Sequence, residues 1–148
     1  MIARRLLKIR QYATAAKQLT VNFAAPHQAF LTGAEVTQVN LTSTEGDLGI
    51  LVGHIPTVLQ LKPSVISFIT PKGTEKYFVS GGFAAINPDS SMNINAVEAC
   101  TLQELDFDAA KTALDAAQKA AKTGTDLEKA SAEVEVELLE AVLAAKKA

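Results

Sequence analysis

Glu45-Gly46-Asp47-Leu48-Gly49-Ile50-Leu51-Val52-Gly53-His54-Ile55-Pro56 decides the reading of this chain. Three glycines, a histidine and a proline within twelve residues exclude a helix, since Gly and Pro are the two worst helix formers. The run describes a strand interrupted by tight turns.

The sequence on either side alternates with period two, the mark of strands buried on one face. Leu19, Val21 and Phe23 point one way, Thr20 and Asn22 the other. Val39 and Leu41 repeat this against Gln38 and Asn40. Val65, Ser67 and Ile69 alternate with Ile66 and Phe68, so both faces there are mostly apolar and the strand is expected to be central. Pro71-Lys72-Gly73-Thr74 and Asn87-Pro88-Asp89-Ser90-Ser91 are turn sequences. Paired glycines at Gly81-Gly82, inside a strand pattern, imply a bulge or a close approach of two backbones. No helix separates these short strands, so a sandwich or flattened barrel is expected, not a parallel α/β sheet.

After Leu105 the period lengthens to 3.6. Asp106 is placed to cap a helix whose apolar face is Phe107, Ala110, Leu114, Ala117 and Ala121. Thr123-Gly124-Thr125 breaks it, with Gly124 suited to a left-handed helix end, and Thr125-Asp126-Leu127-Glu128 reads as a capping box for a second helix. So short a loop makes the helices antiparallel neighbours. The second helix shows two apolar rows. One is Leu127, Ala130, Val134, Leu138, Ala141 and Ala145, expected to face the first helix. The other is Val136, Leu139 and Leu143, which needs a different neighbour, either the β domain or another protein chain.

The fold class is therefore α+β. An antiparallel β sandwich over 18–100 precedes an antiparallel α-helical hairpin over 101–148. Residues 1–17 stand apart. Arg4, Arg5, Lys8, Arg10 and Lys17 are interleaved with Ile2, Leu6, Leu7 and Ile9, and the first acid is Glu35. That cationic, amphipathic pattern is expected of a mitochondrial targeting presequence, removed on import.

Composition excludes several classes. The chain has 148 residues and a formal net charge of −2, which gives no general attraction to nucleic acid or an acidic membrane. No apolar run approaches the roughly 18 residues that cross a bilayer. The single cysteine, Cys100, cannot form an internal disulfide. His27 and His54 belong to no metal-ligand spacing, and neither a phosphate-binding glycine loop nor a nucleophile elbow is present. Glu45 and Asp47 flank Gly46 as a solvated turn or a binding contact would. His54 reads as a histidine satisfied by the turn backbone. The expectation is no catalytic residue, metal, nucleotide or cofactor. A small β-sandwich ligand-binding module with a helical tail is the alternative, and it requires an aromatic-lined pocket.

Thr44-Glu45-Gly46-Asp47-Leu48-Gly49-Ile50-Leu51, then Gly53-His54-Ile55-Pro56, Leu61-Lys62-Pro63 and Val79-Ser80-Gly81-Gly82-Phe83 agree in order and spacing with one family. The chain resembles the delta/epsilon family of F-type ATP synthases, in particular its mitochondrial delta branch. The resemblance spans about Leu19 to the C-terminus. It implies a non-catalytic central-stalk subunit on the matrix side of the mitochondrial inner membrane, touching the membrane only through the ring of c subunits. It further implies that Glu45, Gly46, Asp47 and Leu48 meet that ring. His54, Pro56, Gly81 and Gly82 would shape the motif or meet the gamma subunit. Val136, Leu139 and Leu143 are candidates for gamma or for the small mitochondrial epsilon subunit. Ser64 departs from the family's usual glycine and Val52 from a frequent Pro or Asn. The second helix has no Arg to pair with Asp as in ATP-binding relatives, so neither ATP binding nor an extended inhibitory arm is expected.

Overall fold

The computed structural model describes residues 18–123 and 125–146. The expected presequence and the left-handed position of Gly124 lie outside the described residues.

Among the described residues, ten strands precede two helices. They are β1 (Leu19–Ala25), β2 (Gln28–Val36), β3 (Gln38–Ser43), β4 (Gly46–Leu51), β5 (Thr57–Leu61), β6 (Ser64–Thr70), β7 (Gly73–Val79), β8 (Gly82–Ile86), β9 (Ser91–Ala96) and β10 (Ala99–Thr101). A 3-10 turn at Leu102–Glu104 leads to α1 (Phe107–Thr123) and α2 (Asp126–Ala145). The strands hydrogen-bond in the order β10-β7-β6-β3-β5-β8-β9-β1-β2, with β4 on the side of β3.

This sheet folds back on itself around one core. The Phe23 ring of β1 lies 5.5 Å from Phe68 of β6 and 5.4 Å from Tyr77 of β7. Phe30 of β2 stacks on Phe23 at 5.0 Å. Tilted and edge-to-face rings of this kind add to the area they bury. Around them Leu19, Val21, Val39, Ile50, Ile66 and Ile94 are fully buried, each from the apolar face of an alternating strand. β6 sits between β7 and β3, the central position its two apolar faces predicted. Every described pairing is antiparallel except β1 with β9, which runs parallel with Thr20 opposite Ser91. The intervening hairpins, and not a helix, make that crossover. β2, the longest strand, is an edge strand with a largely exposed surface, so its sequence lacks the alternation that marks the others.

The helical hairpin covers the outer face of β6, β7 and β10. Phe78 is buried there with Ala110, Val142 and Ala145, and Val65, Cys100, Leu105, Leu138, Leu139 and Leu143 pack around them. Asp106 caps α1, its Oδ1 accepting from the Asp108 and Ala109 amides at 3.0 Å. At α2 the Glu128 carboxylate accepts from the Thr125 amide at 2.7 Å and its hydroxyl at 2.8 Å. A side-chain cap such as that of Asp106 contributes about 1 kcal/mol.

The packing of α2 corrects the expected rows. Val136 lines a cleft with Gln118, Ala121 and Lys122, so it belongs to the seam with α1. Leu139 and Leu143 are half-buried in the Phe78 cluster, so the chain's own sandwich supplies much of their cover. Leu127 and Val134, expected to face α1, are instead 82% and 69% exposed. The reason is steric. Buried Ala132, Val142 and Ala145 let α2 sit close to its neighbours, which rotates the Leu127–Val134 edge out to solvent.

Candidate interaction surface

Hairpin β3–β4 carries the first candidate group. Thr44 and Glu45 form a two-residue loop, with Ser43 paired to Gly46. Neither loop residue has a positive φ; Gly46, which follows them, does, at 129°, the place a glycine takes after a type I turn. The Ser43 hydroxyl accepts from the Glu45 amide at 3.2 Å and donates to the Gly46 carbonyl at 3.1 Å. That hydroxyl is buried, so it closes the loop from within. Backbone bonds from Thr44 N to the Gln60 carbonyl (3.0 Å) and from Lys62 N to the Thr42 carbonyl (3.2 Å) brace the hairpin against the end of β5. The result is a stiff acidic tip. Glu45 and Asp47 are exposed, Thr42 Oγ1 donates to Asp47 Oδ1 at 2.7 Å, and Leu48 packs against the sandwich core.

The second group is split. His54 and Pro56 follow the far end of β4, six residues from the tip. His54 is half-buried, its amide donates to the Leu51 carbonyl at 3.2 Å, and its Nδ1 lies 2.9 Å from the Ile55 carbonyl oxygen. Pro56 is exposed just before β5. Gly81 and Gly82 lie at the tip end instead, because Ser43 opposes Leu61 and Leu61 opposes Gly82. Gly82, at φ 141°, is where two backbones meet: a methyl group there would collide with the Asn95 carbonyl and come within 2.9 Å of Ala96 Cα.

Sequence reasoning missed an exposed apolar feature of the sandwich. On the outer face of β5 and β8, Val58 opposes Ala85 and Phe83 opposes Gln60, so Val58 and Phe83 share one surface. They are 73% and 56% exposed. Ile55 and Val97, also exposed, extend the patch at its two ends. This surface lies on the layer opposite the helices. The signal was available: Val58 and Phe83 alternate with the core residues Leu59, Leu61, Ala84 and Ile86, so both faces of β8 are apolar and the outer face of β5 is apolar but for Gln60. Patches of this kind mark interaction sites.

No catalytic geometry emerges among the described residues. No cluster of His, Cys, Asp or Glu there is arranged to hold a metal. The Cys100 thiol is pushed above its usual value, first by burial and then by Glu104 and Glu98, the opposite of a nucleophile's activation. The cleft of about 620 Å³ between Leu19, Val36, Val52 and Pro71 has no aromatic side chain among its lining residues. None of the described helices is long and apolar enough to cross a membrane.

A stiff acidic hairpin tip, an uncovered apolar sheet face and a docked helical hairpin are thus the chain's distinguishing surfaces. The profile of the ATP synthase delta/epsilon chain β-sandwich domain matches residues 18–100. The chain belongs to the ATP synthase delta/epsilon family. Among curated relatives, the mitochondrial ATP synthase subunit delta of Yarrowia lipolytica is 44% identical over 136 residues, covering 90% of this chain and 84% of the relative. That of Saccharomyces cerevisiae is 40% identical over 134 residues, covering 88% and 84%. In a cryo-EM structure of the Euglena gracilis mitochondrial ATP synthase (OSCP, F1 and c-ring), one chain is similar at TM-score 0.82 and 29% identity. It covers 88% of this chain and 82% of its own length. A chain in the central stalk and c-ring structure from Tetrahymena thermophila, at TM-score 0.62 and 15% identity, shares the fold. The family match covers the sandwich, the β part of the α+β fold.

Proposed function

We propose that this chain is a non-catalytic rotor subunit of the mitochondrial proton-transporting ATP synthase, peripheral on the matrix side of the inner membrane. The observation that carries the reading is the match, over most of the chain, to subunit delta sequences and to a chain solved within an F1/c-ring assembly.

The two surfaces divide the work. The apolar face of Val58 and Phe83 suits a permanent partner, since obligate interfaces are large and apolar. We assign it to the gamma subunit, with Ile55 and Pro56 at its rim. The polar tip of Glu45, Gly46, Asp47 and Leu48 suits the loops of the c ring. On α2, exposed Leu127 and Val134 are the open apolar surface for the small epsilon subunit, with Val136, Leu139 and Leu143 offering only half-buried edges.

The mechanism is mechanical. Proton flow turns the ring, and the ring must drive the stalk without slip. A packed sandwich deforms little under load. The Ser43-closed loop, braced on β5, puts the acidic tip on that rigid body and not on a mobile loop. Asp47→Lys reverses the charge at the tip while leaving the sandwich intact. In reconstituted enzyme it is expected to lower proton pumping while leaving ATP hydrolysis by the soluble part unchanged. Undiminished pumping would remove the tip from the ring contact.

A further inference from the structure

We propose that Thr42 is a positioning residue for the ring contact, holding the Asp47 carboxylate in the orientation in which it meets the ring. This rests on the assignment of the tip to the ring. In a two-residue hairpin closed at Ser43 and Gly46, the next pair outward is Thr42 with Asp47. Pairs in that place are the non-hydrogen-bonded kind, whose side chains stand closest. The Thr42 hydroxyl uses that closeness to donate to Asp47 Oδ1 at 2.7 Å.

An exposed aspartate samples several rotamers, and any that turns away from the ring weakens the contact. A charge-assisted hydrogen bond from a β-branched neighbour on the facing strand selects one. Thr42 is itself fixed, because its carbonyl accepts from Lys62 N at 3.2 Å. The bond occupies one acceptor site of Oδ1 and leaves Oδ2 for the partner. Binding energy is thereby kept that would otherwise go into ordering the carboxylate.

The test uses the assembled enzyme reconstituted in vesicles, reading protons pumped per ATP hydrolysed in native, T42V, T42S, D47A and T42V/D47A forms. T42V is expected to weaken the Asp47 contact by roughly fivefold, the equivalent of one hydrogen bond, and so to lower the ratio in the direction of D47A. T42S, which keeps the hydroxyl, is expected to restore most of it, and T42V/D47A to pump no worse than D47A. A loss from T42V that adds to that of D47A, or one that T42S does not rescue, overturns the positioning role. If D47A pumps normally, the ring assignment itself fails. If D47A is impaired and T42V is not, the assignment stands and the role of Thr42 falls.

Discussion

Gly82 on β8 and Asn95 on β9 pass each other so closely that no side chain fits between the two backbones. Two constraints coincide there, the steric one and a φ of 141° that side chains rarely adopt. Gly82→Ala is therefore expected to destabilise the sandwich by about 3 kcal/mol or more. Gly73→Ala is the matched control, since Gly73 has φ 153° but open space around it. It should cost about 1–2 kcal/mol, from backbone strain alone. Urea unfolding of both variants checks the order, and equal losses would refute the close approach.

Phe78 is the post on which the helical hairpin is docked. Truncating it to Ala opens a cavity at the seam and should cost about 3 kcal/mol. The loss should fall on the hairpin's attachment and spare the Phe23–Phe68 core. Hydrogen exchange is expected to quicken in α1 and α2 and to stay slow in β1, β6 and β8. The same change should speed alkylation of Cys100, whose high pKa is caused first by burial.

Glu104 and Glu128 titrate below the usual carboxylate value of 4.5, each because Thr101 or Thr125 donates to it from backbone and side chain. A carboxyl depressed in the folded state adds stability that is complete above the unfolded value. That stability is lost as pH falls through the folded one. Helix content of the hairpin should therefore be flat above about pH 5 and fall below pH 4.5. In Glu128→Gln the part of that fall belonging to α2 should vanish. Circular dichroism across pH 6 to 3 measures it, and an unchanged acid limb would rule the capping box out as its source.

Phe83→Asp places a charge in the uncovered apolar face and touches no core residue of the sandwich. The isolated subunit should keep its melting temperature within a few degrees, as surface changes do. Incorporation into the stalk should drop sharply, because an interface core rejects an unpaired charge. Quantifying the subunit retained with the purified complex decides it. Full retention would take this face out of the gamma contact.

Much of the fold was legible in alternation alone. Leu19, Val21 and Phe23 turn inward as read, and so do Val39 and Leu41. Asp106 and Thr125 cap the helices the sequence assigned to them. β2 was invisible because an edge strand with solvent on its surface has no burial pattern to print. The first row of α2 was misassigned for a related reason: Leu127 and Val134 face solvent, and Leu138, Ala141 and Ala145 join the cluster around Phe78. Helical periodicity says that two faces are apolar but not which neighbour takes which, and small residues such as Ala132 decide that by close approach. At the candidate site the acidic tip was readable from Glu45-Gly46-Asp47. The bond from Thr42 was not, since it depends on hairpin register. The Val58–Phe83 face was legible in part, since β8 is apolar on both sides and β5 sets Val58 beside a single polar residue, Gln60.

The parallel pairing of β1 with β9 sets a condition on how the domain is made. A chain emerging amino end first, from a ribosome or a translocation pore, exposes Thr20 about seventy residues before its neighbour Ser91 arrives. Until then β1 has only β2 to hold, and one flank of its backbone is open to any passing strand. Closure so distant in sequence is slow. The emergence of β9 is thus the step at which that exposed flank closes and the edge ceases to be a hazard.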